Sequence, residues 1–87
     1  INISTSDDKK FEIVEKFIEN SHFDNARIID IDGIRVEFEK GWGLLRASNT
    51  SPVLVLRFEA ETEDDLENIK SIFIQNLKSI YPELYNL

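Results

Sequence analysis

The chain of 87 residues places apolar side chains at helical spacing in a segment near its start. The stripe is formed by Phe11, Val14 and Ile18, widened by Ile13 and Phe17. Ser6 and the Thr5-x-x-Asp8 pattern offer N-cap chemistry, because their hydroxyl groups accept bonds from the first backbone N–H groups of a helix. The pattern predicts a helix over 7–20, with a loose lead-in over 2–6 before it and a loop over 20–25 after it.

A second segment near the end of the chain has the same period. Its apolar positions are Leu66, Ile69, Phe73, Leu77 and Ile80. Thr62 and Asp65 match a capping box, and the acidic residues that follow suit the positive end of a helix. We therefore predict a helix over 63–79. Pro82 cannot continue it, so 81–87 is expected to be a short tail.

Strand patterns occupy the middle of the chain. The predicted strands cover 26–31, 34–39, 42–47 and 53–60. Asp32-Gly33 joins the first two as a two-residue hairpin, because a type I′ turn needs positive φ at both central positions. This turn sets a register in which Ile31 faces Ile34 and Asp30 faces Arg35. The core face of the hairpin would then carry Ile29, Ile31, Ile34, Val36 and Phe38.

The order of elements is helix, four strands, helix, and the short connections favour an antiparallel meander. We predict a single α+β domain over 1–87, in which a four-stranded antiparallel sheet carries both helices on one face. In the last strand Leu54, Leu56, Phe58 and Ala60 would point to that core face. The other face would be comparatively polar, with Arg35, Glu37, Glu39 and Glu59.

Composition narrows the function classes. The formal net charge is −7 and the sequence pI is about 4.6, which opposes binding to nucleic acid or to an anionic membrane surface. The chain contains no Cys, which fits a cytoplasmic protein and excludes a disulfide framework. The acidity is uneven: residues 61–70 carry five acidic residues and one Lys, whereas 41–60 carry two Arg and one Glu.

The segment Arg46-Ala47-Ser48-Asn49-Thr50-Ser51-Pro52 lies between the last two predicted strands and is the candidate site. Arg46 supplies a planar fork for two phosphate oxygens. Ser48 and Thr50 supply hydroxyl donors and Asn49 an amide donor. Asn also tolerates left-handed backbone, which would turn successive amides inward around an anion. The alternative is a simple polar turn beside an exposed Arg.

The same segment, followed by Val53-Leu54-Val55-Leu56-Arg57-Phe58-Glu59-Ala60, resembles the C-terminal domain of α-D-phosphohexomutases. Asp32-Gly33-Ile34-Arg35-Val36 and Gly41-Trp42-Gly43-Leu44-Leu45 are similar to that family as well. Asn49 resembles the phosphomannomutase/phosphoglucomutase type, since phosphoglucosamine mutases carry Gly there. Ser51 departs from the commoner Glu or Thr and leaves the subfamily open.

The resemblance implies an isomerase of four domains that interconverts 1-phospho and 6-phospho sugars. The fourth domain would have a fold like the TATA-binding protein and would hold the phosphate that is not transferred, through Arg46, Ser48, Asn49, Thr50 and the Ala47 backbone. It would also help to close the cleft over the sugar. The motifs for the phosphoserine, for magnesium and for the sugar do not occur here, so neither catalytic residues nor a metal site are expected in this chain.

Two expectations follow for the whole protein. The chain contains no Met, which together with the missing motifs suggests a piece of a longer enzyme whose other domains and sugar phosphate are its partners. The rival hypothesis is a stand-alone α+β module that senses a small molecule or binds a protein. That rival predicts a stable oligomer, or a ligand bound away from Arg46.

Overall fold

Both predicted helices are present in the computed structural model, which describes residues 1–82. Helix α1 covers Asp7–Asn20 and helix α2 covers Glu63–Ile80. Ser6 caps α1 by accepting from the Lys9 N–H at 3.1 Å, and Thr62 caps α2 by accepting from the Asp65 N–H at 3.1 Å. Most of the predicted tail, 83–87, lies outside the described residues.

The sheet has five strands rather than the predicted four. In chain order they are β1 Asn2–Ser4, β2 Arg27–Ile29, β3 Ile34–Phe38, β4 Gly41–Ala47 and β5 Val53–Ala60. They are antiparallel in the order β1-β5-β4-β3-β2. The predicted loose lead-in is wrong, because β1 pairs with β5 and buries Ile3 opposite Leu54. A strand of three residues is too short to show the alternation by which strands are recognised.

Both helices pack on one face of the sheet, as predicted. The fully buried side chains come from both layers: Phe17, Ile34, Val36, Leu45, Leu54, Leu56, Phe73 and Leu77. Gly43 in β4 lets α2 approach the sheet, because a Cβ at this position would lie 2.4 Å from the Phe73 ring. The core thus fixes α2 directly over β4 and β5, the two strands that flank the candidate site.

The register of the first hairpin differs from the prediction by one residue. Arg27 pairs with Glu37 and Ile29 with Arg35, so neither Ile31 opposite Ile34 nor Asp30 opposite Arg35 is correct. Asp32 and Gly33 do have positive φ, at 54° and 111°. However, β2 ends at Ile29 and leaves 30–33 as a longer connection.

The apolar residues of this segment explain the wrong register. Ile28, Ile29 and Ile31 occupy both faces of an extended chain, so alternation does not choose between two registers. Ile31, predicted to be in the core, is 82% exposed, and Ile28, which shares a face with Val36, is 50% exposed. At the edge of the sheet little burial energy depends on which residue points inward.

Helix α1 turns a slightly different face to the core than predicted. Ile13, Val14 and Phe17 are buried as expected, but Phe11 is 53% exposed and Lys10 takes its place in the buried stripe. Lys10, Ile13, Val14 and Phe17 are spaced by three, one and three residues, which is also a helical face. The predicted stripe contains apolar residues only, so it includes Phe11 and leaves out Lys10.

The sheet face opposite the helices is mixed in character. The Arg35 guanidinium lies 4.2 Å from the centre of the Trp42 ring, and the Trp42 indole N–H donates to Glu59 at 3.1 Å. Arg35 also donates to Glu37 at 3.2 Å. Neither helix of residues 1–82 is long and apolar enough to cross a membrane.

Candidate functional site: the β4–β5 loop

Residues 48–52 connect the two longest strands, and we name them the β4–β5 loop. The last pairs before it are Arg46 with Val55 and Ala47 with Leu54. Leu54 is buried under the helices, so Ala47 lies on the helix side of the sheet and Arg46 on the opposite side. Strand alternation therefore places the Arg46 guanidinium on the uncovered face at the mouth of the loop.

Ser48 organises the loop. Its Oγ accepts bonds from the Thr50 N–H and the Ser51 N–H, both at 3.3 Å. Its own N–H donates to the Val53 carbonyl at 3.0 Å and closes the loop. A hydroxyl oxygen that accepts two N–H bonds still has its own proton to donate. Ser48 therefore combines a structural role with a hydroxyl donor that an anion can use.

Asn49 and Thr50 form the exposed tip of the loop. Among residues 1–82 the positive φ values belong to Asn25, Asp32 and Gly33, so the left-handed backbone expected at Asn49 is not present. The Thr50 and Ser51 amides instead donate to the Ser48 hydroxyl, so these two N–H groups are bonded within the loop. The Asn49 and Thr50 side chains remain accessible to a ligand.

Arg46 is held at its backbone while its side chain is left available. No hydrogen bond or ion pair within residues 1–82 engages the Arg46 guanidinium. Gly33 packs directly against this residue, since a Cβ on Gly33 would lie 2.8 Å from the Cβ of Arg46 and 2.5 Å from the Leu45 carbonyl oxygen. The β2–β3 connection thus supports the backbone that presents the guanidinium.

The exit of the loop is tied to the start of the chain. The Thr5 N–H donates to the Pro52 carbonyl at 2.8 Å, and the Val53 N–H donates to the Ser51 carbonyl at 2.8 Å. Strand β1, which the sequence did not predict, brings Thr5 to this position. The sequence analysis identified the side chains of the loop but not the backbone contacts that hold it.

A side-chain contact from Lys10 also holds the loop, and like the contact from Thr5 it was not predicted from the sequence. Its Nζ donates to the Ser51 carbonyl at 3.1 Å from helix α1. A signal was available, because Lys10 lies three and four residues before Ile13 and Val14 and therefore falls on the same helix face. The predicted stripe contains apolar residues only and therefore omits Lys10.

A groove at the opposite end of β4 and β5 is the main competing location for a ligand. It lies between Gly41 and Glu61 and is lined in part by Glu37, Glu39 and Glu59. Four carboxylates against a single cation, Lys40, disfavour a phosphate there. Within residues 1–82 no cluster of three or more His, Cys, Asp or Glu side chains could hold a metal ion.

A family model described as phosphoglucomutase/phosphomannomutase, C-terminal domain, matches residues 1–75. Phosphomannomutase/phosphoglucomutase of Pseudomonas syringae pv. tomato is 51% identical over 84 residues, covering 97% of this chain and 18% of that protein. The enzyme of the same name from Pseudomonas aeruginosa is 51% identical over 80 residues, covering 92% of this chain and 17% of that protein.

A solved structure gives the same result at the level of the fold. The crystal structure of a phosphoglucomutase/phosphomannomutase family protein from Burkholderia thailandensis superposes with a TM-score of 0.82 at 37% identity, covering 94% of this chain and 17% of that one. The chain therefore spans less than a fifth of the length of the relatives that it matches.

Proposed function

The chain belongs to the family of phosphoglucomutase/phosphomannomutase C-terminal domains, and on that premise we propose that its β4–β5 loop binds the phosphate group of a sugar phosphate. Arg46 supplies the charge and a bidentate fork. Ser48 and Thr50 donate hydroxyl protons, Asn49 donates its amide and the Ala47 backbone is a lesser contact. The site belongs to the least acidic part of an acidic chain.

One observation carries this proposal: the Arg46 guanidinium has no hydrogen bond or ion pair within residues 1–82 and lies two residues before Ser48, whose hydroxyl group is already fixed by two N–H bonds. Donors that are held in place before the ligand arrives do not have to be ordered by it, which favours binding. The acidic groove at the far end of the strands has the wrong charge for the same ligand.

At the level of the whole enzyme, we propose a phosphohexomutase that interconverts hexose 1-phosphate and hexose 6-phosphate in the cytoplasm. This domain would grip the phosphate that is not being transferred and help to close the cleft. The reacting groups, and the magnesium ion expected of such an enzyme, would belong to its other domains. The likeness to the TATA-binding protein that the resemblance implies also stays a prediction.

The direct test is a titration of the ¹⁵N-labelled chain with glucose 1-phosphate and mannose 1-phosphate, followed through the backbone amides. We expect binding on the order of millimolar, because one loop supplies only part of a full site. The shifts should centre on 46–50. Similar shifts with both sugars would mean that the loop recognises the phosphate and leaves the choice of sugar to other domains.

Two variants make this titration decisive. Arg46→Ala should weaken binding about tenfold or more, since it removes a charge-assisted contact. Arg27→Ala is the matched control, because Arg27 lies on an edge strand, is 78% exposed and is distant from the loop in the sheet order. Equal weakening by both variants, or shifts that avoid the loop, would refute the phosphate site and favour the sensing or interaction module.

Mutase activity is tested in a chimera. The matching C-terminal segment of the Pseudomonas aeruginosa relative is replaced by this chain, and interconversion of glucose 1-phosphate and glucose 6-phosphate is measured. We expect activity that depends on Arg46, and none from the 87-residue chain alone. Turnover by the isolated chain would contradict the proposed division of labour between domains.

A further inference from the structure

Lys10 is the one charged side chain of residues 1–82 that is buried, with 4% of its surface exposed. Burying an ammonium group is costly unless it is paired and hydrogen-bonded. A Lys at this position of α1 therefore requires an explanation. The surrounding stripe of Ile13, Val14 and Phe17 would accept an apolar residue.

The contacts of the ammonium group give that explanation. Its Nζ lies 3.0 Å from Asp7 Oδ1 and donates to the Ser51 carbonyl at 3.1 Å. Asp7 is 75% exposed, so water and salt screen this ion pair. The bond to Ser51 is partly buried and joins residues 41 positions apart. It is the contact by which Lys10 connects helix α1 to the β4–β5 loop.

Ser51 connects Lys10 on helix α1 to Ser48 inside the β4–β5 loop. Its carbonyl accepts from Lys10 and from the Val53 N–H, while its own N–H donates to Ser48 Oγ. The carbonyl therefore points toward α1, on the opposite side from the Arg46 guanidinium. A carbonyl that turned the other way would repel a bound anion. A displaced Ser51 would also move the N–H that helps to fix the Ser48 hydroxyl.

We propose that Lys10 is a positioning residue for phosphate binding, which holds the Ser51 peptide so that the Ser48 hydroxyl faces the ligand. This inference rests on the proposed function of the loop. Lys10 does not touch the phosphate; it acts through Ser51 and Ser48. The ammonium group is used here, in place of an apolar side chain, because it can donate to a carbonyl at the base of the loop.

The test compares Lys10→Met with Lys16→Met in the 87-residue chain. Met keeps the length of the side chain but removes the donor. Lys16 is the matched control, since it lies on the same helix with 54% exposure and pairs with Glu12. We expect Lys10→Met to raise the Kd for glucose 1-phosphate about fivefold or more and to speed hydrogen exchange at the Thr50 and Ser51 amides.

Lys10→Arg separates positioning from core packing. A guanidinium can still donate to the Ser51 carbonyl, so Lys10→Arg should recover at least part of the affinity that Lys10→Met loses. A purely structural role would change the free energy of unfolding and leave the Kd of the folded fraction within twofold of the wild-type value. That outcome, with Arg46→Ala still weakening binding, would overturn the role of Lys10 and leave the proposed function standing.

The wild-type chain provides a measurement that does not depend on the folding of a variant. The ¹⁵Nζ resonance of Lys10 should shift when the chain is saturated with glucose 1-phosphate, whereas that of Lys16 should not. A silent Lys10 would contradict the inference. If the wild-type chain shows no binding at all, the proposed function itself fails, and the two failures are therefore distinguishable.

Discussion

The two connections that flank strands β3 and β4 are held in different ways. The β2–β3 connection, 30–33, is shaped by its own backbone, with positive φ at Asp32 and Gly33. The β4–β5 loop has no positive φ and is held by bonds from Ser48, from Lys10 and from Thr5. The first can be recognised in a short stretch of sequence, whereas the second depends on residues far away in the chain.

This difference corresponds to the role that we propose for each connection. The β2–β3 connection exposes Ile31 to solvent and serves as a support on which the backbone of Arg46 rests. The β4–β5 loop leaves its tip accessible and its base fixed. A binding loop needs side chains that are free to meet a ligand, so its shape must come from contacts on the side away from the ligand.

The largest expected effect tests the register of the β2–β3 connection. Ile34→Ala should lower the free energy of unfolding by about 2–5 kcal/mol, because Ile34 is 1% exposed and a cavity would remain. Ile31→Ala should change it by less than about 0.5 kcal/mol. Urea denaturation measures both. Similar losses at the two positions would restore the register in which Ile31 faces Ile34.

Gly33→Ala should have the next largest effect. The substitution combines a φ of 111° with a Cβ that meets the Leu45 carbonyl and Arg46, and backbone strain of this kind costs about 1–3 kcal/mol. Binding of glucose 1-phosphate should weaken as well, because Arg46 is displaced. Asp32→Asn is the control, since Asn tolerates left-handed backbone. An unchanged Kd in Gly33→Ala would argue against support of the site by this connection.

Ser48→Ala tests the internal bonds of the β4–β5 loop. It removes the acceptor of two N–H groups, so the free energy of unfolding should fall by about 1–2 kcal/mol. The Thr50 and Ser51 amides should exchange faster with solvent, which is measured by NMR. Thr50→Ala, at the exposed tip, should leave both quantities close to wild type. Unchanged exchange in Ser48→Ala would mean that the loop is shaped by other contacts.

Asn49→Gly should have the smallest effect on stability. Asn49 is exposed and lacks positive φ, so Gly gains nothing at this position and adds freedom to the unfolded chain. We expect a loss of about 0.5–1 kcal/mol by urea denaturation. A gain in stability would show that the backbone at this position prefers a left-handed conformation after all.

The parts of the fold that the sequence predicted are those with long patterns. Both helices and strand β5 extend over enough residues for the apolar period to be clear, and their bounds agree to within one residue. Strand β1 and the register between β2 and β3 were not predicted, because their sequence patterns are short. Three residues show no period, and an edge strand with Ile at successive positions fits two pairings equally well.

The candidate site was predicted in its side chains and not in its support. Arg46, Ser48, Asn49 and Thr50 are adjacent in sequence, so their donor chemistry is visible without a structure. Lys10 and Thr5 reach the loop only through the packing of α1 and the pairing of β1. The helical period can place Lys10 on the buried face of α1, but the partner that Lys10 and Thr5 reach depends on which elements become neighbours in the folded chain.

The bond between Lys10 and Ser51 also has a consequence for folding kinetics. It joins residues 41 positions apart, and the bond from Thr5 to Pro52 spans a similar stretch. Contacts between distant residues form slowly, since the intervening chain must first be brought together. We therefore expect the bonds from Lys10 and Thr5 to the β4–β5 loop to be among the last to form, so that the proposed phosphate site would be complete only after the first strand has joined the sheet.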